Sequence, residues 1–495
     1  MVTKFSLKQM ERPQWIKIVV LPSACALRPS VYFFTNTTNT DVRVTGYRCF
    51  AKRKMAAPRL FKTFLLAASF LVSMCVFFIA YLTSSSMGFG TLSIKRAGIL
   101  LGIFVPVIFL ISYFVVWRNL VLRPMKSMEK SCVQGVVFHT WTAALFVFLL
   151  FAHFSQLCIL FLGKTTEVGT VSFVSFICFG ALFVLAAVIF MFEIVEFFLK
   201  MTFQRGLSWE WFQENWLVIR AVMIVVISSC LVAVSVMNAA EGPVVKPVEI
   251  PVRKLPLSMH GLRIVQLSDI HLGPTVGKSQ LQKSVNVANA LKPDITVITG
   301  DLVDSTVENL VEAVSPLQQL RATHGVYYVT GNHEYYTYDV KHWLSHLKSL
   351  DIVCLSNSFV RIVHAQKPRD WFYLAGTNDI EGKRMYEKEH QFDLDKALAS
   401  TDSDHAIILL AHQPKAAKQA VQSQYDISLI LSGHTHGGQM FPITIPAYLF
   451  SPYFAGIYQP KEGTYVYVSS GTWYNGPPMR LFSRAEITLI TLLAS

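Results

Sequence analysis

Residues 262–271 read LRIVQLSDIH. Leu262–Leu267 is a short apolar run rich in β-favouring residues, and it stops at a serine, a carboxylate and an imidazole. The pattern recurs four times downstream. Ile295–Thr299 (ITVIT) ends at Gly300-Asp301-Leu302-Val303-Asp304. Gly325–Val329 (GVYYV) ends, after Thr330, at Gly331-Asn332-His333-Glu334. Ala406–Leu410 (AIILL) leads to Ala411-His412-Gln413-Pro414, and Ile427–Leu431 (ISLIL) to Ser432-Gly433-His434-Thr435-His436-Gly437-Gly438-Gln439. Between the earlier runs, apolar spacing predicts helices over Gln280–Leu291, Val307–Arg321 and Val340–Leu350. Alternating strands and helices imply an α/β sheet. Side chains at strand ends gather on one rim of such a sheet, and glycines there let the backbone turn sharply beside a packed site.

Carboxylates, imidazoles and one amide form a mixed nitrogen and oxygen donor set, which suits Mn²⁺, Fe or Zn²⁺. Taken singly, each motif has a plain alternative. Asp269-x-His271 reads equally as a surface turn, and Asn332-His333 as a turn in which Asn supplies positive φ. His434-x-His436 is a metal pair or two loop histidines, and His412 a ligand or a structural histidine. Asp304 is a candidate anchor for a ligand, although a helix N-cap is the preferred reading. The full ordered set, each member after a strand, points to one metal centre.

In these five blocks the second half of the chain resembles the calcineurin-like metallophosphoesterase superfamily, in its membrane-linked, YkuE-like branch. The resemblance covers about Leu257–Ser495. It implies an αββα sandwich with a two-metal site at the strand ends. Carried over, it implies a first ion held by Asp269, His271, Asp301 and His436, and a second by Asp301, Asn332, His412 and His434, with Asp301 bridging. It also implies that His333 contacts the phosphate or protonates the leaving oxygen rather than binding metal. Two divalent ions can activate a water for attack on a phosphate mono- or diester.

The first half is a different material. Only 15% of the 495 residues are charged, against roughly 25% in ordinary soluble chains. The net charge of +13 also divides unevenly. Residues 1–240 hold 22 Lys and Arg against 8 Asp and Glu, whereas residues 241–495 hold 22 against 23. The basic excess therefore flanks apolar runs and forms no stripe on the second half, which excludes nucleic acid as the expected partner. Five runs are expected to span a bilayer: 64–82, 97–117, 141–163, 171–192 and 217–238. Lys and Arg placement favours a cytoplasmic N-terminus, which puts the second half on the lumenal or extracellular side. Arg220 is expected to snorkel, Glu193 and Glu196 to be interfacial, and His153 and Gln156 to face the bundle interior.

The chain thus reads as four parts. Residues 1–55 are a basic extension expected to be poorly ordered, and 56–240 a multi-pass α-helical membrane domain. Residues 241–257, with Pro243, Pro247, Pro251 and Pro256, read as a semi-rigid extended tether, and 258–495 as the catalytic domain. Cys354 is the only cysteine after the tether, so no disulfide framework forms there. The function expected is a membrane phosphoesterase using two divalent ions. Its substrate is a phosphate ester, with a lipid-linked one suggested by the short tether, and Tyr448-Leu449-Phe450 and Tyr453–Tyr458 are candidates for an apolar collar. Arg480 is expected to reach a substrate phosphate or to make a surface salt bridge, and Tyr335 and Tyr336 to pack in the core by default or to shape the pocket. The competing readings are a metal-binding scaffold that recruits a partner without turnover, and a transporter with a regulatory domain.

Overall fold

A computed structural model describes residues 17–20, 31–34, 113–124, 134–161, 164–202, 208–386 and 389–495. The expected span 64–82 and residues 97–112 of the second lie outside the described residues, as does most of 1–55. Within that extension, β1 (Lys17–Val20) pairs antiparallel with β2 (Val31–Phe34). The other three spans fall on helices α1 (Gln134–Phe161), α2 (Thr170–Thr202) and α3 (Ser208–Ala240). Two stretches, Thr170–Leu199 and Trp216–Ala240, are long and apolar enough to cross a hydrocarbon layer of about 30 Å. The apolar stretch of α1, His139–Ser155, falls short of that length. Two such helices therefore stand among the described residues, where three of the five expected spans fall.

Arg220 of α3 gathers with Glu193 and Glu196 of α2 in one polar group. Arg220 is 1% exposed. It lies 3.1 Å from Glu193 and 3.5 Å from Glu196, and it donates to Asn119 at 2.9 Å. Arg123 closes the group on Glu193 at 2.6 Å. A charge withdrawn from water needs a partner of opposite sign, and four charges of zero net sum meet that need among apolar helices.

Gly242, at φ +79°, turns the chain from α3 into β3 (Val244–Val252). Most of the expected tether is therefore a strand, paired in parallel over all nine residues with β14 (Glu486–Ala494). Pro247 and Pro251 share a parity, so both imide nitrogens face one side of the strand. An edge strand leaves one side unpaired, and there proline costs no ladder bond. The domain is consequently fastened directly to α3.

From β14 the first sheet continues through β4 (Arg263–Leu267), β5 (Ile295–Thr299), β6 (Val326–Val329) and β7 (Ile352–Cys354), in the order β3-β14-β4-β5-β6-β7. The crossovers are α4 (Lys278–Ala290), α5 (Val307–Val314), and α6 (Asn332–Tyr336) with α7 (Val340–Ser349). The helix expected to Arg321 ends as α at Val314 and tightens to 3₁₀ over Ser315–Gln319, where Pro316 cannot supply an amide. The second sheet contains β8 (Ser358–His364), β9 (Lys367–Gly376), β10 (Ile407–Leu410), β11 (Leu429–Ser432), β12 (Gly456–Lys461) and β13 (Thr464–Val468). Its order is β12-β13-β11-β10-β9-β8. Short helices α8 (Gly382–Tyr386), α9 (Leu394–Leu398), α10 (Pro414–Val421) and α11 (Thr444–Phe450) complete the domain.

Three apolar clusters define the layers. Ile264, Val297 and Val329 of the first sheet meet Leu374, Ile408, Leu410 and Leu431 of the second. Val265, Leu267 and Ile298 turn the other way, onto Leu281, Leu310 and Trp343 of the outer helices. Tyr373, Leu409 and Ile430 do the same beneath Ala397 and Ala417. Strands covered on both faces read as continuous apolar runs without alternation, which is why ITVIT and IILL are legible as strands.

Candidate metal centre

β4, β5, β6, β10 and β11 run parallel within their sheets, so their C-terminal ends lie on one rim. All seven side chains expected as ligands come together there. Asp269, His271 and His436 offer atoms within 4.8 Å of one another, and so do Asp301, His412 and His434. Asn332 joins the second group, its Oδ1 lying 3.2 Å from His412 Nε2. Asp301 stands between them: its Oδ2 is 3.2 Å from His412 Nε2 and 3.7 Å from His271 Nε2.

The backbone is strained at these same residues. Asp269, His271, Asp301, His434 and His436 have φ of 54°, 55°, 51°, 72° and 52°. Left-handed backbone is uncommon outside glycine and costs on the order of 1–3 kcal/mol per residue when the surroundings impose it. Two neighbouring glycines are needed for space. A Cβ on Gly331 would collide with Asp301, and one on Gly433 with Asp269 and Ser268.

The ring nitrogens show what is missing chemically. His412 Nδ1 donates to the Thr299 carbonyl at 2.7 Å, so Nε2 confronts two oxygens, from Asp301 and Asn332. Burial opposes charge on this ring, yet Asp301 holds its pKa well above the usual histidine range. Without a metal, a proton satisfies those oxygens. On the other side, His271 Nε2 and His436 Nε2 face each other at 3.0 Å, with Asp269 Oδ1 3.5 Å from the latter. His434 Nδ1 is buried with no hydrogen-bond partner among the described residues, and burial pushes that ring down to about 3. Buried lone pairs aimed at shared carboxylates fit two divalent cations.

Asp304 orients this set. Its Oδ1 accepts from His271 Nδ1 at 2.9 Å and from His333 Nδ1 at 2.7 Å. Despite burial, the charges of His271 and His333 hold its carboxyl below the usual range. The N-cap of α5 is Thr306, so the cap reading of Asp304 is corrected. His333 is opposed by burial but raised to about 9 by Asp301 and Asp304. With Nδ1 engaged, its Nε2 lies 3.2 Å from Asn475 Nδ2. Tyr336, expected in the core, is 44% exposed with its ring 5.2 Å from that of His333, whereas Tyr335 is buried as expected.

Arg480 does neither thing expected of it. It is fully buried and donates to the carbonyls of His436, Ser470, Gly471 and Trp473. It is a clamp beneath the loop that carries His436. Three further residues escaped sequence reasoning. Glu334 Oε2 accepts from the amides of Gly331 at 2.6 Å and Asp301 at 3.1 Å, and Oε1 from Leu302 at 2.7 Å and Val303 at 3.3 Å. Its position three residues after Gly331 is a capping-box spacing, a signal that was available. Asn475 and the buried Asp379 follow loops with no such pattern. Burial raises Asp379 to about 7.

Comparison with known proteins agrees with this geometry. Residues 262–438 match the family described as calcineurin-like phosphoesterase. The chain is 44% identical over 402 residues to a Bos taurus "Transmembrane protein with metallophosphoesterase domain", covering 80% of this chain and 89% of the relative. A Danio rerio protein of the same description is 43% identical, over 79% of this chain and 88% of the relative. "Uncharacterized metallophosphoesterase YkuE" of Bacillus subtilis is 31% identical, over 48% of this chain and 81% of the relative.

Proposed function

Since the chain belongs to the calcineurin-like metallophosphoesterases, hydrolases of phosphate ester bonds, we propose that it is a membrane-anchored member that cleaves a phosphate mono- or diester at a two-metal centre. Asp269, His271, Asp301 and His436 would hold one divalent ion, Mn, Fe or Zn. Asp301, Asn332, His412 and His434 would hold the other. When bound, such ions neutralise phosphate oxygens and acidify water. The chain's own residues do the rest. Asp304 fixes the tautomer and tilt of His271 and His333 by accepting a hydrogen bond from each Nδ1–H. His333 then presents Nε2, beside Asn475, to give a proton to the leaving alkoxide as general acid. Glu334 and Arg480 hold the loops carrying Asp301 and His436 in their strained form.

The observation that carries the reading is Asp301, one carboxylate facing both ligand groups at the rim of five strands. The five-span topology, the lumenal or extracellular placement and a membrane-associated substrate belong to the same proposal. The test is turnover by the purified full chain with added Mn²⁺, using p-nitrophenyl phosphate and its bis ester, beside His333→Ala. Hydrolysis that requires both metal and His333 is expected. Turnover that survives His333→Ala would overturn the assignment of the acid, and silence of a metal-loaded chain toward both esters would favour the scaffold reading.

A further inference from the structure

Helix α11 follows the turn that carries His436, and it is unlike any other helix of the domain. None of its residues is buried. Ile445, Tyr448, Leu449 and Phe450 are exposed, with Ile443 before them and Phe482 beside them. From 427 to 460 the chain contains no Asp, Glu, Lys or Arg. Soluble proteins rarely leave such a contiguous apolar patch facing water.

The position of the patch identifies what covers it. Met440, Phe441, Met479 and Leu481 pack in one cluster with Leu182, Leu185 and Ile224 of the apolar helices. Phe441 in turn contacts Phe482, with ring centroids 6.4 Å apart. Gly180 of α2 faces Pro477 and Met479, and Ser235 of α3 accepts from the Arg480 amide at 2.8 Å. These contacts mark the level where the domain meets the helices. From Gly180 to Met201 on α2, and from Ser235 back to Trp216 on α3, the helices run about 30 Å at 1.5 Å per residue, one hydrocarbon thickness. Over that distance the exposed side chains are mostly apolar, including Phe190, Met191, Phe197, Phe198 and Met201 on α2, and Val222, Val226 and Val234 on α3, with Ser229 the polar exception among the described side chains. The same level therefore serves as the membrane boundary, and α11 begins three residues after Phe441.

We infer that α11, with Ile443 and Phe482, lies in the headgroup layer of the bilayer that holds α2 and α3, and that the centre takes phosphoesters of membrane-resident amphiphiles. The second half rests on the phosphoesterase reading above; the first does not. One hydrogen bond ties α11 to the ligand turn, and a second ties the loop after it. Thr444 Oγ1 donates to the Gly438 carbonyl at 3.2 Å, and Thr435 Oγ1 to the Phe454 carbonyl at 2.6 Å. An amphiphile whose chains lie beside α11 has its phosphate at the depth of His434 and His436. Exposed aromatic and aliphatic side chains without charge are the composition of an interfacial anchor.

The test uses the full chain reconstituted in phosphatidylcholine vesicles. Leu449 is replaced by p-benzoylphenylalanine and irradiated, and the adduct is identified by mass spectrometry. Val353, exposed on β7 at the opposite edge of the sheet from β3, is the control position. A lipid adduct at 449 and none at 353 is expected. A peptide adduct from residues 56–112, or none at 449, would overturn the bilayer as occupant. Substrate class is read separately with bis-p-nitrophenyl phosphate in solution and phosphatidyl-p-nitrophenol in vesicles, which release the same chromophore. In Leu449→Glu/Phe450→Glu the ratio of vesicle to soluble turnover is expected to fall by about tenfold or more, as lost apolar anchors weaken interfacial contact. An unchanged ratio would refute the amphiphile assignment. A wild-type chain inert toward both diesters and toward p-nitrophenyl phosphate would instead refute the phosphoesterase reading, leaving the crosslink to decide the interface.

Discussion

Replacing Glu334 by Gln tests whether one buried carboxylate holds the two central loops in place. Each of its oxygens accepts two backbone amides, Gly331 and Asp301 at Oε2, Leu302 and Val303 at Oε1. Glutamine keeps one oxygen and turns an NH₂ group toward the other pair of donors. Two buried amides are then left without an acceptor, at about 1–3 kcal/mol each. Removal of the negative charge beside Asp301 offsets part of that loss, because burial and Asp301 both work against an ionised Glu334. A net destabilisation of about 2–4 kcal/mol follows. For a domain of this size that lowers Tm by roughly 5–15 °C. The assay is a thermal scan at fixed rate on metal-free protein, followed by metal stoichiometry after reloading. Asp301 loses its backbone tether, so a lower metal content is expected alongside the lower Tm. A shift under about 2 °C with full metal loading would refute the account of Glu334.

Asp304→Asn is expected to lower metal affinity or turnover by about 10–100-fold while leaving the fold intact, because His271 and His333 lose their shared acceptor; isothermal titration with Mn²⁺ checks it. In metal-free protein the His333 pairing contributes stability that is fully present below about pH 6.5 and lost as pH rises through about 9. That linkage is worth up to about 3 kcal/mol, and comparison of denaturant midpoints of wild type and His333→Gln at several pH values measures it. Asp379 runs the other way. Its folded pKa of about 7 lies above the unfolded value, so stability falls as pH rises from about 4 to 7, and Asp379→Asn should stabilise the protein at pH 8 but not at pH 4. Gly433→Ala is expected to abolish metal binding, since the new methyl group meets Asp269 and Ser268; metal content of the purified variant decides.

Much of the domain was legible because strands covered on both faces need no alternation. ITVIT and IILL declare themselves by composition alone, and β5, β10 and β11 fall within two residues of their expected bounds. The donor set was legible for a related reason: a rim site is supplied by short motifs directly after strands, so its members stand out one by one. Asp304 was misassigned because an aspartate shortly before a helix resembles a cap. Its partners, His271 and His333, lie 33 and 29 residues away. Arg480 was misread for the opposite reason. A cation in a Gly-Pro-rich loop reads as exposed, yet carbonyls of the preceding loop and of the distant His436 enclose it completely.

By itself the sequence determined the local quantities: which runs are apolar, where they stop, and which donors stand at the stops. Those depend on side chains within a few residues of one another. Tertiary structure alone decided how the separate runs meet. It made Val244–Val252 an edge strand, since pairing with Glu486–Ala494 joins segments about 240 residues apart. It placed Arg220 among Glu193, Glu196 and Asn119. It set Glu334 beneath both central loops and Met440 and Phe441, just before α11, against the helices. Such contacts carry no periodicity along the chain, because their energy comes from desolvation and hydrogen bonding between residues that only folding brings together.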